Sequence, residues 1–282
     1  MFNIVKKRKL NDSMTLMEVE APFIAKKAKA GEFIILRVNE FGERIPLTIA
    51  DYDPIKGTVT IIYQKVGKTT MLLDELNAGD AILDFIGPLG KPSEIEGYRK
   101  VAVIGGGAGC AIAFPQAKAL HKMGTKVDVI AGFRSKDLII LEDEMKAVSN
   151  QLIITTDDGS NGNKGFVTDA LRKNIEDGAD YDLVIAIGPL VMMRAICNLT
   201  KEFNIKTMVS MNPIMIDGTG MCGGCRLTVD GKTKFACVDG PDFDGHLVDF
   251  DEAIKRSRTY FDIEREAARE YGCRLMEGTK NA

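Results

Sequence analysis

Asp217, Cys222, Cys225 and Cys237 are the residues in this chain whose types and spacing best suit chemistry. They read Asp-x4-Cys-x2-Cys-x11-Cys, starting from Asp217-Gly-Thr-Gly-Met-Cys-Gly-Gly-Cys225. Plant-type [2Fe–2S] sites read C-x4-C-x2-C…C, so the pattern keeps that spacing with a carboxylate in the first slot. Gly218, Gly220, Gly223 and Gly224 suit a loop that wraps a cluster through positive φ and close backbone approach. Backbone N–H groups freed in such a loop can bond cluster sulfur and tune its potential. Two other chemistries use the same thiols. A structural zinc site would combine the three cysteines with Asp217 or Cys273, although Asp is an uncommon structural zinc ligand. A C-x2-C redox pair near a βαβ unit is the third, and it leaves Cys237 unexplained.

Other segments suit phosphate-bearing cofactors. Arg44-Ile-Pro46-Leu47-Thr48 offers a guanidinium fork, a rigid turn and a hydroxyl. Gly67-Lys68-Thr69-Thr70 opens a helix, where free N–H groups and the helix dipole favour an anion. Tyr63 is grouped with these two segments as a cofactor-binding candidate. Gly105-Gly106-Gly107-Ala108-Gly109 follows a buried-strand run and precedes a helix, the place for a pyrophosphate, though its spacing is not the strict G-x-G-x-x-G. Asp157-Asp158-Gly159 and Gly188-Pro189-Leu-Val-Met192-Met193 are expected at the same sheet edge. The second strand of this half ends in Arg134 with no ribose-binding acid, and Asp128 lies inside that strand. Arg134 alone hints at a 2′-phosphate; it could equally cover an adenine or pair with the pyrophosphate.

These residues need elements to hold them. Residues 1–98 carry short β-type runs at 4–10, 14–19, 33–38, 47–50, 58–64 and 81–86, with one helix at 70–77, which predicts a small antiparallel barrel. Residues 99–215 alternate strands (100–104, 126–132, 152–156, 182–186, 207–210) with helices near 111–123, 142–150, 167–174 and 191–203. That alternation predicts a parallel sheet of right-handed βαβ units. Residues 216–282 carry the cysteine loop, then strands at 226–229 and 234–238 about an Asp230-Gly231 turn. This hairpin would bring Cys225 and Cys237 together. A helix over 249–271 follows, its charged face either solvated or an interface with a partner, and the tail from 277 is expected to fray.

Composition sets the class. The formal net charge is −3, which argues against a nucleic-acid surface. No run of about 18 apolar residues suggests a membrane span. The basic start has no apolar segment behind it, so no signal peptide is expected. With six cysteines and no secretion signal, the expected compartment is reducing, hence cytoplasmic. Only two histidines are present, which leaves little room for a His-based metal site.

A barrel, a nucleotide half and a three-cysteine loop, in that order, resemble the ferredoxin–NADP reductase superfamily. Within it the chain is similar to the electron-transfer subunits of dihydroorotate dehydrogenase and sulfide dehydrogenase. It is most similar to the small subunits of NADH-dependent ferredoxin:NADP oxidoreductases. Arg44–Thr48 resembles the family's Arg-Pro-Leu-Ser flavin segment and Gly67–Thr70 its FAD-pyrophosphate segment. Gly105–Gly109 and Gly188–Met193 resemble its nicotinamide-nucleotide loops. The 217–225 loop with Phe235-Ala-Cys-Val-Asp-Gly240 is the most specific likeness; dihydroorotate-type subunits carry Cys where Asp217 stands, and transhydrogenase-type subunits carry Asp. No aromatic fills the Tyr slot of the wider Arg-x-Tyr-Ser pattern. The resemblance implies an FAD-binding barrel, a Rossmann-like NAD(H) domain with NADP(H) as the weaker candidate, and a [2Fe–2S] segment. It also implies electron bifurcation with a larger flavin and [4Fe–4S] subunit in a heterodimer that reaches ferredoxin. Thr48, Gly188 and Pro189 would position flavin and nicotinamide, with no acid–base residue. The dihydroorotate or sulfide dehydrogenase subunit is the alternative within the enzyme class, and a flavin/iron–sulfur redox sensor lies outside it.

Overall fold

The computed structural model describes residues 1–280, with side-chain surroundings through 272. The chain runs β1 (Phe2–Lys9), β2 (Met14–Glu20), α1 (Pro22–Ala25), β3 (Phe33–Arg37), β4 (Ile45–Asp53), β5 (Thr58–Gln64), α2 (Lys68–Glu75), β6 (Ala81–Ile82) and β7 (Asp84–Leu89). These seven strands form one antiparallel sheet, ordered β6-β1-β2-β5-β4-β3-β7, that curls into a nearly closed barrel. The run expected at 81–86 divides in two because Ile82 pairs with β1 while Asp84–Ile86 pairs with β3. That change of partner is how the sheet comes near to closing. Alternate residues point inward: Ile34 and Leu36 of β3 join Ile45, Leu47 and Ile49 of β4 in the barrel core. Pro46 and Thr48 therefore take the outer face. Helix α2 is fastened by Asp74, which accepts from Thr15 (2.7 Å) and Tyr63 (3.1 Å) and pairs with Lys65 (3.2 Å).

The second unit runs β8 (Lys100–Gly106), α3 (Gly109–Lys122), β9 (Lys126–Phe133), α4 (Glu142–Ala147), β10 (Gln151–Thr156), α5 (Val167–Glu176), β11 (Leu183–Ile187), α6 (Leu190–Glu202) and β12 (Thr207–Ser210). The sheet order is β10-β9-β8-β11-β12 with all neighbours parallel. Along β8, Val101 and Val103 pack on one face and Ala102 and Ile104 on the other. That explains why the run reads as continuously apolar: helices cover both faces. Strand order reverses between β8 and β11, so the loops leaving these two strands flank the topological switch point, where such sheets bind ligands.

The last segment carries β13 (Arg226–Val229), β14 (Lys232–Phe235), α7 (Ala236–Asp239), β15 (Asp242–Asp244), α8 (Phe250–Arg256) and α9 (Phe261–Lys280). The hairpin turn falls at Asp230 and Gly231, both at positive φ. Three sequence expectations change here. Cys237 sits on the short α7, not on a strand. The single helix over 249–271 is two, separated at 257–260. β15 was unforeseen and adds an antiparallel edge to the parallel sheet beside β12, so the sheet draws on residues past 215. The expected fraying of the tail falls partly on residues 281 and 282, outside the described ones, and the side chain of Cys273 is likewise outside them.

Candidate electron-transfer site

On the barrel side, Pro46, Leu47 and Thr48 are half-buried and Arg44 is exposed. The outer face of β4 looks towards α3, to which it is tied by Asp51 and Lys118 Nζ at 2.6 Å. The two anion-suited segments meet: Thr69 Oγ1 donates to Glu43 Oε2 at 3.4 Å, beside Arg44. Thr70 Oγ1 accepts the N–H groups of Val66 and Gly67, each at 3.1 Å, and so fastens the start of α2. The N–H groups of Lys68 and Thr69, in the first turn of α2, have no intrahelical partner. Tyr63 is placed otherwise than expected. Its ring lies in the barrel core, 2 % exposed, with its hydroxyl on Asp74, so it braces α2 and does not face the β4 surface.

On the sheet side, the 105–109 and 188–193 loops touch. A Cβ on Gly109 would lie 2.3 Å from the Ile187 carbonyl oxygen, and one on Gly188 would lie 3.2 Å from Gly106 Cα. Gly107 has φ +54°, and its N–H donates to Gly132 O at 2.8 Å, which turns the chain into α3. Ala108 is the N-cap of α3 and Pro189 that of α6. Met192 lies over Gly106 and Gly188. Met193 departs from expectation: it is fully buried in the core beneath the loop. The 156–165 loop folds onto the end of β9, with Asp157 N–H to Phe133 O (3.0 Å) and Asp158 N–H to Arg134 O (3.2 Å). Asp158 is occupied by the hydroxyl and N–H of Ser160, which hold its carboxyl below the usual range. Gly159 makes the turn at φ +78°, and Asp157 and Arg134 are exposed at this edge. Asp128 is buried between Tyr181 (2.9 Å) and Lys100 (3.1 Å), so the strand-interior acid serves the core.

The cysteine loop wedges between the two units. A Cβ on Gly218 would meet Ile35 and Leu89 of the barrel at 2.8 Å, and Lys91 N–H donates to Gly240 O at 2.7 Å. Gly218, Gly220 and Gly223 all have positive φ, as a tight wrap requires. The four candidate ligands fall into two pairs. Cys225 and Cys237 are buried with sulfurs 3.3 Å apart. Asp217 Oδ2 accepts the Cys222 N–H at 2.7 Å, and its Oδ1 accepts that of Thr219 at 2.8 Å. The Thr219 N–H is the main cause holding the Asp217 carboxyl below the usual range. Backbone N–H groups already address sulfur: Gly224 to Cys222 at 3.4 Å and Cys237 to Cys225 at 3.5 Å.

Thiolates about 2.3 Å from a tetrahedral metal stand about 3.7 Å apart, close to the Cys225–Cys237 spacing. Among the described residues no group of three such side chains gathers about one ion; the pairing two by two suits a two-iron cluster. Burial, then the neighbouring Cys225, pushes the Cys237 thiol up to about 12, so loading must displace its proton. Cys110 and Cys197, also raised to about 12 by burial, lie in the cores.

The barrel, the switch-point sheet and the cysteine wedge define a ferredoxin-reductase-like oxidoreductase. Residues 103–198 match the model of the oxidoreductase NAD-binding domain. Residues 212–249 match that of the iron-sulfur cluster binding domain of dihydroorotate dehydrogenase B. The chain is 47% identical over 262 residues to the dihydroorotate dehydrogenase B (NAD(+)) electron transfer subunit homolog of Thermotoga maritima, covering 93% of this chain and 92% of that protein. It belongs to this family of electron-transfer subunits. A solved structure of an NADH-dependent reduced ferredoxin-NADP oxidoreductase, described for flavin-based electron bifurcation, superposes with TM-score 0.90 at 45% identity over 98% of both chains. At 14% identity and TM-score 0.58, a Neisseria gonorrhoeae ferredoxin NADP+ reductase with bound FAD and NADP shares the fold, over 71% of this chain and 89% of that one. The expected cofactor set of FAD, [2Fe–2S] and NAD(H) accords with these domains and flavin-dependent relatives. Among the described residues no helix is long and apolar enough to cross a membrane.

Proposed function

We propose that this chain is the NADH-side electron-transfer subunit of a heteromeric NADH-dependent ferredoxin:NADP oxidoreductase that bifurcates electrons with a larger flavin and iron–sulfur subunit. The likeness over 98% of both chains, C-terminal helices included, carries this reading. Asp217 in the first ligand slot supports it over the dihydroorotate-type alternative, whose subunits carry Cys there.

The chemistry supplied by bound FAD would be hydride exchange with nicotinamide and single-electron exchange with the cluster. The chain's own residues bind and align. The start of α2 and Arg44 would take the FAD pyrophosphate, and Thr48 on the outer face of β4 would hydrogen-bond the ring. Gly105–Gly109 and the start of α6 would hold the dinucleotide, with Gly188, Pro189 and Met192 against the nicotinamide. Arg134, Asp157, Asp158 and Gly159 would hold the adenosine end. The Asp51–Lys118 pair links the outer face of β4 to α3. Asp217, Cys222, Cys225 and Cys237 would hold the cluster against the barrel. No side chain is assigned a proton-transfer role.

Anaerobic protein loaded with FAD, iron and sulfide, titrated with NADH and separately NADPH, tests the reading by flavin bleaching. NADH should bleach the flavin and drive reduction of an artificial acceptor by the isolated subunit. FAD binding with no oxidation of either nucleotide would refute it. Copurification of the partner distinguishes a ferredoxin:NADP oxidoreductase from a dihydroorotate dehydrogenase.

A further inference from the structure

Two arginines address the turn between Cys222 and Cys225. Arg226 Nη1 donates to Gly223 O at 3.3 Å, and Arg256 Nη2, thirty residues further on, donates to Gly224 O at 3.2 Å. Arg256 is brought there by tertiary structure alone. Asp249 caps α8 through the Glu252 N–H at 2.9 Å. Glu252 in turn accepts the Thr228 N–H of β13 at 3.0 Å. Arg194 of α6 pairs with Asp251 at 2.8 Å. Among the described residues, the ion pair of this region uses Arg194 and neither Arg226 nor Arg256. Both line a cavity of about 350 Å³ beside Cys222 and Gly224.

A trans peptide points its C=O and N–H in opposite directions. The Gly223 carbonyl also accepts the Arg226 backbone N–H at 3.3 Å. Backbone and guanidinium together hold it outward, which turns the Gly224 N–H inward, and that N–H does reach Cys222 Sγ at 3.4 Å. Hydrogen bonds to ligand sulfur raise the potential of an iron–sulfur cluster. The cluster also gains negative charge on reduction, so fixed positive charge nearby favours the reduced form. Arg226 is exposed and Arg256 half-buried, so solvent screens the second less.

We propose that Arg226 and Arg256 are positioning residues for the cluster: Arg226 holds the Gly223–Gly224 peptide with its N–H towards the Cys222 sulfur, Arg256 holds the Gly224 carbonyl of the next peptide, and the charge of both raises the cluster's potential. This rests on the cluster reading above. The test is a redox titration of the anaerobic holoprotein, with EPR for the cluster and absorbance for the flavin. Arg256→Gln should lower the cluster midpoint and leave the flavin midpoint and the iron and sulfide content unchanged. Arg256→Lys, which keeps the charge, should lower it less, and Arg226→Gln should fall between wild type and Arg256→Gln. An unshifted cluster midpoint in both glutamine variants overturns the proposal. If Arg256→Gln sheds its iron, Arg226→Gln decides by the same rule. A wild-type holoprotein without a two-iron EPR signal overturns the cluster reading itself, and this inference with it.

Discussion

Replacing Gly109 with alanine probes the contact on which the nucleotide site depends. The new methyl would lie 2.3 Å from the Ile187 carbonyl oxygen and 2.8 Å from Gly188 Cα, both backbone atoms. Neither can turn aside as a side chain would, so β8 and β11 must separate at their ends. Overpacking costs roughly 1–3 kcal/mol, and a carbonyl this close places Gly109 near the upper end. The lost flexibility of the unfolded chain returns at most about 1 kcal/mol. The net is about 2 kcal/mol, or a fall in Tm of about 4–8 °C. Gly67→Ala is the control: its Cβ meets nothing within 4 Å among the described residues, and its φ of −132° suits any residue. Gly106→Ala should fall between, because it meets the flexible Met192 side chain at 2.4 Å. Thermal unfolding of the three variants should rank Gly109→Ala as least stable, then Gly106→Ala, then Gly67→Ala close to wild type. NADH titration should show the weakest binding in Gly109→Ala. A Gly109→Ala protein within 1 °C of wild type by this roughly 2–4 °C per kcal/mol scale would refute the claimed closeness of the two loops.

Three further outcomes are expected. Asp242 sits between the units, its Oδ2 accepting from Ser93 (2.5 Å) and Gln116 (3.0 Å), while its Oδ1 and Gln116 Oε1 have no partner among the described residues. Burial raises its carboxyl from 3.8 to about 6. It therefore keeps its proton longer folded than unfolded, and its contribution is greatest below the unfolded value and lost as pH rises to about 6. Asp242→Asn should remove that slope and stabilise the protein at pH 8 by up to roughly 3 kcal/mol, measured by urea unfolding from pH 5 to 8. Asp217→Cys should retain a cluster with a shifted EPR spectrum and midpoint, because thiolate donates more strongly to iron than carboxylate; an unchanged signal would remove Asp217 from the ligand set. Thr70→Ala strips the acceptor of the Val66 and Gly67 N–H groups. It should cost about 1 kcal/mol and weaken FAD binding about fivefold, read by flavin fluorescence.

The elements were readable where their signals are local. The apolar runs at 58–64 and 207–210 match β5 and β12 end for end. The Asp230-Gly231 turn marked a real hairpin, which brought Cys225 and Cys237 together as its spacing implied. Elsewhere local pattern misled. Asp242–Asp244 is short and acidic, and is a strand only because β12 offers it an edge. Tyr63 reads as a candidate ligand until its hydroxyl is seen on Asp74. Met192 and Met193 are neighbours in one motif, yet one covers the loop and the other fills the core.

The residue types and their spacing by themselves determined which groups are capable of chemistry: three thiols, one carboxylate and the glycines that let backbone turn around them. Which of those groups meet was decided by tertiary structure. Arg256 reaches Gly224, Gly109 meets Ile187, and Gly218 sits on the barrel because strand order and helix docking bring distant segments together. Spacing acts through bonded neighbours over a few residues. Contacts between segments depend on how whole sheets pair and pack, and no single stretch of the chain encodes that.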